Sequence, residues 1–299
     1  MEIDYKRSES LVKMQKAGAY LLRKFHAACQ KNGLQYFLAY GTLLGAIRHQ
    51  GFITWDDDID IAMPREDFER LGSLTQEQLG DEIFIQSQNN DLEYWLPFYK
   101  VRLLGTEVFD QRPGYEHRNR VKERGIWLDI FPMDRCGGSV GITALEKRKF
   151  KMLSFLQDAV LYEAMQGGMR TERLFSKRRI TRLKAFLSIS SLFGLCKTNN
   201  KRRLLNLLHA VAKLKSSGGF LVMRGGVGTL QKLLVPEDWY YPAKEAVFEG
   251  ASFMIPNNPD YILRKLYGDD YMTPPPVEKR QGHQDDDTLV NVPDNFLIS

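Results

Sequence analysis

Residues 36–63 run YFLAYGTLLGAIRHQGFITWDDDIDIAM. Four carboxylates, Asp56, Asp57, Asp58 and Asp60, crowd its end, and the last two alternate with Ile59, Ile61 and Met63. That period of two predicts a strand over residues 58–63 with Asp58 and Asp60 on one face. Alternate strand residues lie about 6.6 Å apart at Cα, so two carboxylates facing the same way repel unless a cation lies between them. Oxygen ligands of this kind suit Mg²⁺ or Mn²⁺, which keep several waters and engage substrate phosphates. An EF-hand is excluded: counted from Asp56, its sixth and twelfth positions hold Ile61 and Asp67 rather than Gly and Glu. The bland alternative is a solvated acidic loop, against which the alternation and the flanking Trp55 argue. Asp56 and Asp57 can equally serve only to shape the turn.

Upstream, residues 34–40 (LQYFLAY) predict a short buried strand. A turn at Gly41 and Thr42 then leads into a short helix over LLGAI, whose start offers backbone N–H groups and the Thr42 hydroxyl to a phosphate. Downstream, a helix follows Pro64. Residues 82–86, 98–104 and 126–131 read as further strands, the last carrying a lone Asp129 between apolar neighbours. Residues 9–31 have the spacing of an amphipathic helix closed by Asn32-Gly33. A capping-box pattern at Thr143 starts a long helix through Leu153, Leu156 and Val160, and Asn258-Pro259 and Gly268 bracket another over DYILRKLY.

These motifs together resemble the nucleotidyltransferase superfamily, and within it the LicD family, which includes bacterial cholinephosphotransferases and fukutin-type ribitol-phosphate transferases. The resemblance rests on Tyr40-Gly41-Thr42-Leu43-Leu44-Gly45, Arg48-His49, Trp55-Asp56-Asp57-Asp58-Ile59-Asp60, Lys100-Val101-Arg102, the block from Asp129 to Asp134, and the late stretches around Tyr267-Gly268 and Pro274-Pro275. It implies an α+β fold with a nucleotidyltransferase-like mixed sheet flanked by helices. It also implies transfer of a phospho-alcohol group, such as phosphocholine, from a CDP-linked donor to a glycan or lipid-linked glycan hydroxyl, with CMP released. Asp58 and Asp60 match the metal-binding pair, and Asp129 matches the third carboxylate, able to bind metal and accept a proton. Gly41, Thr42, Arg48, Asp57, Lys100, Arg102, Arg280 and His283 are the substrate-binding candidates, with Lys100 and Arg102 placed to clamp a diphosphate. Ordinary surface charge remains open for that basic pair. His49, His117 and His283 show no metal-ligand spacing. A true nucleotidyltransferase and a non-catalytic membrane-binding module are the alternatives.

The chain of 299 residues is 43% hydrophobic and 26% charged, the mix of an ordinary globule. Three scattered cysteines exclude a disulfide framework and a zinc knuckle. The charged N-terminus lacks an apolar leader core, which predicts a cytoplasmic protein, peripheral at the inner face of the plasma membrane if it touches lipid. Net charge is +5, yet residues 173–215 hold 12 Lys or Arg and no acid, so the remainder sums to 5 − 12 = −7. The organisation expected is a catalytic core at 1–139, a helical, basic insertion at 140–245 and a C-terminal segment at 246–299 packing back on the core. The basic stretch reads either as an amphipathic helix pair on anionic lipid or as a solvated insertion. No DNA- or RNA-reading motif accompanies the charge, and nucleic acid is not expected as a partner. Tyr94, Trp95, Phe98, Tyr99 and Trp127 supply either a cage for a quaternary ammonium or ordinary core. Gly225-Gly226-Val227-Gly228 reads as a loop.

Overall fold

The computed structural model describes residues 8–91, 93, 94, 96–111, 119–136, 144–164, 177–192, 206, 207, 210, 219–223, 234–280 and 288–297. His117, Thr143, Trp95, Cys196, residues 225–228 and His283 lie outside them.

Helix α1 (Glu9–Asn32) begins where the Ser8 hydroxyl accepts the Leu11 N–H and ends at Gly33, whose φ of 58° is the left-handed cap that glycine adopts without strain. Its Leu21, Leu22 and Phe25 are at most 1% exposed. Each such side chain contributes roughly 1.5–3 kcal/mol by leaving water. Strand β1 (Phe37–Leu38) is far shorter than the sequence suggests, because α2 (Tyr40–His49) starts at once. Gly41 and Thr42 therefore do not form a turn; they lie in the first turn of α2. The reversal is made instead by Tyr40, whose φ of 42° is left-handed and unusual for a residue with a side chain.

Strand β2 (Asp60–Pro64) runs into α3 (Arg65–Leu71), followed by α4 (Gln76–Leu79), β3 (Ile83–Gln86), β4 (Tyr99–Leu103), β5 (Glu107–Asp110) and β6 (Trp127–Cys136). The main sheet has the order β1-β2-β6-β4-β3, with β2 and β6 parallel and the other pairs antiparallel. The mixed α+β class is thus as expected. Strand β6 is longer than predicted because its second half, Met133 to Cys136, pairs with β7 (Phe220–Met223), which in turn pairs with β8 (Leu234–Pro236). Both added strands come from the stretch expected to be helical.

Helices α5 (Ala144–Ala164) and α6 (Lys177–Leu192) pack on each other through a small core of their own: Leu153, Leu156, Ala159, Tyr162, Leu183 and Leu187. Hairpin β9–β10 (Lys244–Phe248, Ala251–Ile255) packs on β1 and α2, and α7 (Pro259–Tyr267) packs on α2. Strand β11 (Thr288–Asn291) pairs with β5. Among the described residues no helix is long and apolar enough to cross a membrane. Cys29 and Cys136 are buried free thiols.

Candidate active site

Sheet register builds the site. Asp60 of β2 is paired with Asp129 of β6, Asp129 with Lys100 of β4, and Lys100 with Gln86 of β3, so one row across four strands carries two carboxylates, an ammonium and an amide. Asp58 approaches from the loop before β2 rather than from the strand predicted for it. Ligand oxygens of Asp58, Asp60 and Asp129 all lie within 4.8 Å of one another. Lys100 Nζ donates to Asp129 Oδ1 at 2.5 Å, fixing that carboxylate from the far side.

The loop carrying the acids is held on several sides. Thr42 is 3% exposed, and its hydroxyl accepts the Asp60 N–H at 2.8 Å, pinning α2 to the start of β2. Gln15 of α1 donates to the Asp56 carbonyl at 2.7 Å. Gly41 is required by close approach: a Cβ there would stand 2.6 Å from Asp56 Oδ2. Beyond the loop's other end, Glu249 at the tip of the β9–β10 hairpin accepts the Phe52 N–H at 3.1 Å.

Burial, then the charges of Asp58, Asp129 and Asp56 against the opposing pull of Lys100, holds the Asp60 carboxyl well above the usual carboxylate range. Burial and the neighbouring Asp58 and Asp57 do the same to Asp56, which shares a hydrogen bond with Asp58. Three convergent carboxylates and one compensating ammonium form a hard-oxygen donor set with an excess of negative charge. Mg²⁺ or Mn²⁺ fits this set; a soft-ligand metal does not.

Aromatic rings flank the polar row on both sides. Phe98 and Phe131 stand 4.6 Å apart at their centroids, and Phe131 meets Tyr40 edge-on at 5.5 Å. On the other side Trp127 lies under both Lys100 and Arg102, at 4.5 and 5.2 Å from its centroid. The described aromatic residues considered for a cage are divided among separate tasks. Tyr99 stacks on Phe68 in the core at 3.9 Å, Tyr94 donates its hydroxyl to the Phe98 carbonyl, and the Trp127 ring already carries two cations.

The remaining sequence candidates are distributed around this centre. Asp57 is 6% exposed and stands outside the three-carboxylate cluster. Arg102 is 7% exposed and donates to Gln86 Oε1 and the Gly125 carbonyl, so it braces the face from within. Arg48, at the end of α2, donates to the Tyr271 carbonyl at 2.6 Å. Arg280 lies 5.0 Å over the Trp55 ring and close enough to Arg48 for the two like charges to act on each other.

Two residues matter more than sequence reasoning indicates. Among the described residues the Tyr40 hydroxyl is buried without a hydrogen-bond partner, and burial, then the negative charge of Asp60, raises its pKa. Tyr267, in the last turn of α7, is likewise raised by burial and then by Asp60, Asp56 and Asp58. Both sit in motifs the sequence displays, but their convergence on Asp60 comes only from tertiary packing.

Comparison with known proteins follows the same residues. The family model "LicD/FKTN/FKRP, nucleotidyltransferase domain" matches residues 33–136, which include every member of the carboxylate cluster. Lipopolysaccharide cholinephosphotransferase LicD of Haemophilus influenzae is 27% identical over 272 residues, covering 88% of this chain and 91% of that protein. An uncharacterised protein of Rickettsia prowazekii is 45% identical over 62 residues, 20% of this chain and 23% of its own.

Proposed function

We propose that this chain, whose residues 33–136 carry a LicD-family nucleotidyltransferase domain, transfers a phospho-alcohol group from a CDP-linked donor to a hydroxyl of a cell-surface glycan precursor. Phosphocholine is the favoured group, and lipopolysaccharide or a related lipid-linked glycan the favoured acceptor, by likeness to the Haemophilus relative. The observation that carries the reading is the Asp58, Asp60 and Asp129 cluster within that domain.

In the proposed reaction, the acceptor hydroxyl oxygen attacks the donor phosphorus that bears the alcohol. A new P–O bond forms there, and the bond from that phosphorus to the oxygen bridging toward CMP breaks, so CMP leaves with the electron pair. Asp58, Asp60 and Asp129 are the residues that would hold Mg²⁺ or Mn²⁺. When bound, such an ion neutralises charge building on the phosphate oxygens. Asp129 is the nearest assignment for the group that takes the hydroxyl proton, and Lys100 orients it. Arg48 and Arg280, with their like charges set near each other, favour an anion beside the cluster, which suits the donor diphosphate.

A second reading is supported by the match of residues 33–136 to a nucleotidyltransferase domain: attack at the nucleotide's own phosphorus, leaving the nucleotidyl group on the acceptor. Product analysis separates the two. Purified protein with Mg²⁺ is incubated with CDP-choline, CDP-ribitol or CDP-glycerol, each with and without lipid-linked glycan. The proposal expects acceptor-dependent CMP from one of the three donors. A nucleotidylated acceptor without free CMP would establish the second reading in its place.

A further inference from the structure

The largest feature that the reaction leaves unused is the basic helical hairpin. Helix α6 turns its Leu183 and Leu187 onto α5, and Phe186 meets Phe155 edge-on at 5.2 Å, so its apolar face is already covered. Arg179 is committed to Asp158 of α5. At 100° per residue, Lys177, Arg178 and Arg182 project on the side opposite Leu183 and Leu187, with Lys184 at its flank. All four are exposed, and among the residues whose side chains are described the outward face between them holds only Thr181, Ala185 and Ser188. Among the described residues none of the four has an ion-pair partner. No acid occurs anywhere from 173 to 215, while the rest of the chain is net negative.

We infer that the outward face of α6 is an electrostatic docking surface for an anionic lipid membrane. Of the amphipathic pair considered from the sequence, α6 sets Leu183, Phe186 and Leu187 against α5, while the second stretch, 201–215, lies mostly outside the described residues. Adsorption through the described side chains of α6 therefore runs through charge. Polybasic segments are attracted to anionic leaflets in proportion to their cations near the surface, and the attraction fades within a Debye length of about 10 Å at 0.1 M salt. Nucleic acid is the weaker match for this face. Its described residues are small or cationic, and no aromatic ring stands there for a base to stack on. The inference does not depend on which group the active site transfers.

The test uses the full chain in co-sedimentation with vesicles of phosphatidylcholine alone or with about 30% phosphatidylglycerol, a loading at which juxtamembrane cations respond to surface charge. Binding is expected only to the anionic vesicles, and it should be lost at about 0.5 M salt, where screening is short-ranged. The combined variant Lys177→Gln, Arg178→Gln, Arg182→Gln and Lys184→Gln should reduce partitioning at least about tenfold. A charge-keeping variant, Lys177→Arg with Lys184→Arg, should bind like the parent, which separates charge from any effect on folding. Equal binding to both vesicle types, no binding to either, or full binding by the four-Gln variant overturns the inference. So does a four-Gln variant that loses affinity for an RNA oligomer while keeping its vesicle binding.

Discussion

Replacing Asp60 with asparagine is expected to cut CMP release at least about 10³-fold while leaving the protein folded. Electrostatic neutralisation at a metal-assisted phosphoryl centre amounts to several kcal/mol, and about 1.4 kcal/mol corresponds to a factor of ten in rate. Folding should survive because Asp60 sits beside Asp58 and Asp129, and removing one of three mutually repelling charges relieves the cation-free protein. The pH dependence of stability gives the same result a second signature. The Asp60 carboxyl is raised in the folded state, so between its unfolded and folded pKa values the native protein binds more protons than the unfolded chain. Stability without metal should therefore fall as pH rises through that window. Added Mg²⁺ should oppose the fall by binding only the native state, and the Asp60→Asn protein should lack this share of the slope. Thermal unfolding across the mildly acidic range, with and without Mg²⁺, reads all three. A variant with unimpaired turnover would remove Asp60 from the site.

The second large effect concerns stability alone. Arg65, the first residue of α3, holds Asp134 of β6 through two parallel hydrogen bonds of 2.8 and 3.0 Å, and the two side chains are only 14% and 3% exposed. Substituting Asp134 by alanine strands a guanidinium in a place with little water, which costs about 3–5 kcal/mol. For a chain of this size the midpoint of thermal unfolding should drop by roughly 10 °C. Changing both partners to apolar residues, Arg65→Met with Asp134→Leu, should recover much of the loss, because no unpaired charge remains. An Asp134→Ala protein that melts with the parent would show that α3 is held to the sheet by its Phe68 and Leu71 packing alone.

The cluster was readable because its chemistry is local. Asp58 and Asp60 alternate with residues that must be buried, and Asp129 stands alone between Leu128 and Ile130, so Asp60 and Asp129 announce their side of a strand, while Asp58 reaches the same cluster from the loop just before β2. The strand pairing that brings Lys100 to Asp129 is a matter of register between segments 29 residues apart, and no local pattern carries it. In the sequence Gly41 reads as a chain break, since glycine usually marks one. Its real constraint is steric, imposed by the side chain of Asp56, while the unusual backbone falls to Tyr40 next door. The β9–β10 hairpin was missed for a different reason. Its turn uses Glu249 and Gly250, both with positive φ, in place of the Asn-Gly or Asp-Gly pair that marks such turns most strongly. Among the described residues strands β5 and β11 pair with each other across most of the chain, a partnership that no local pattern reveals.

That Asp58, Asp60 and Asp129 act as one divalent-cation site is the claim on which the rest depends. Mn²⁺ titration followed by electron paramagnetic resonance tests it without any substrate, because free aqueous Mn²⁺ gives a sharp signal that broadens away on binding. Addition of the full chain is expected to remove that signal in a saturable manner, and the Asp60→Asn protein to leave it nearly intact. An undiminished signal with the parent protein, or equal uptake by the variant, would contradict the account.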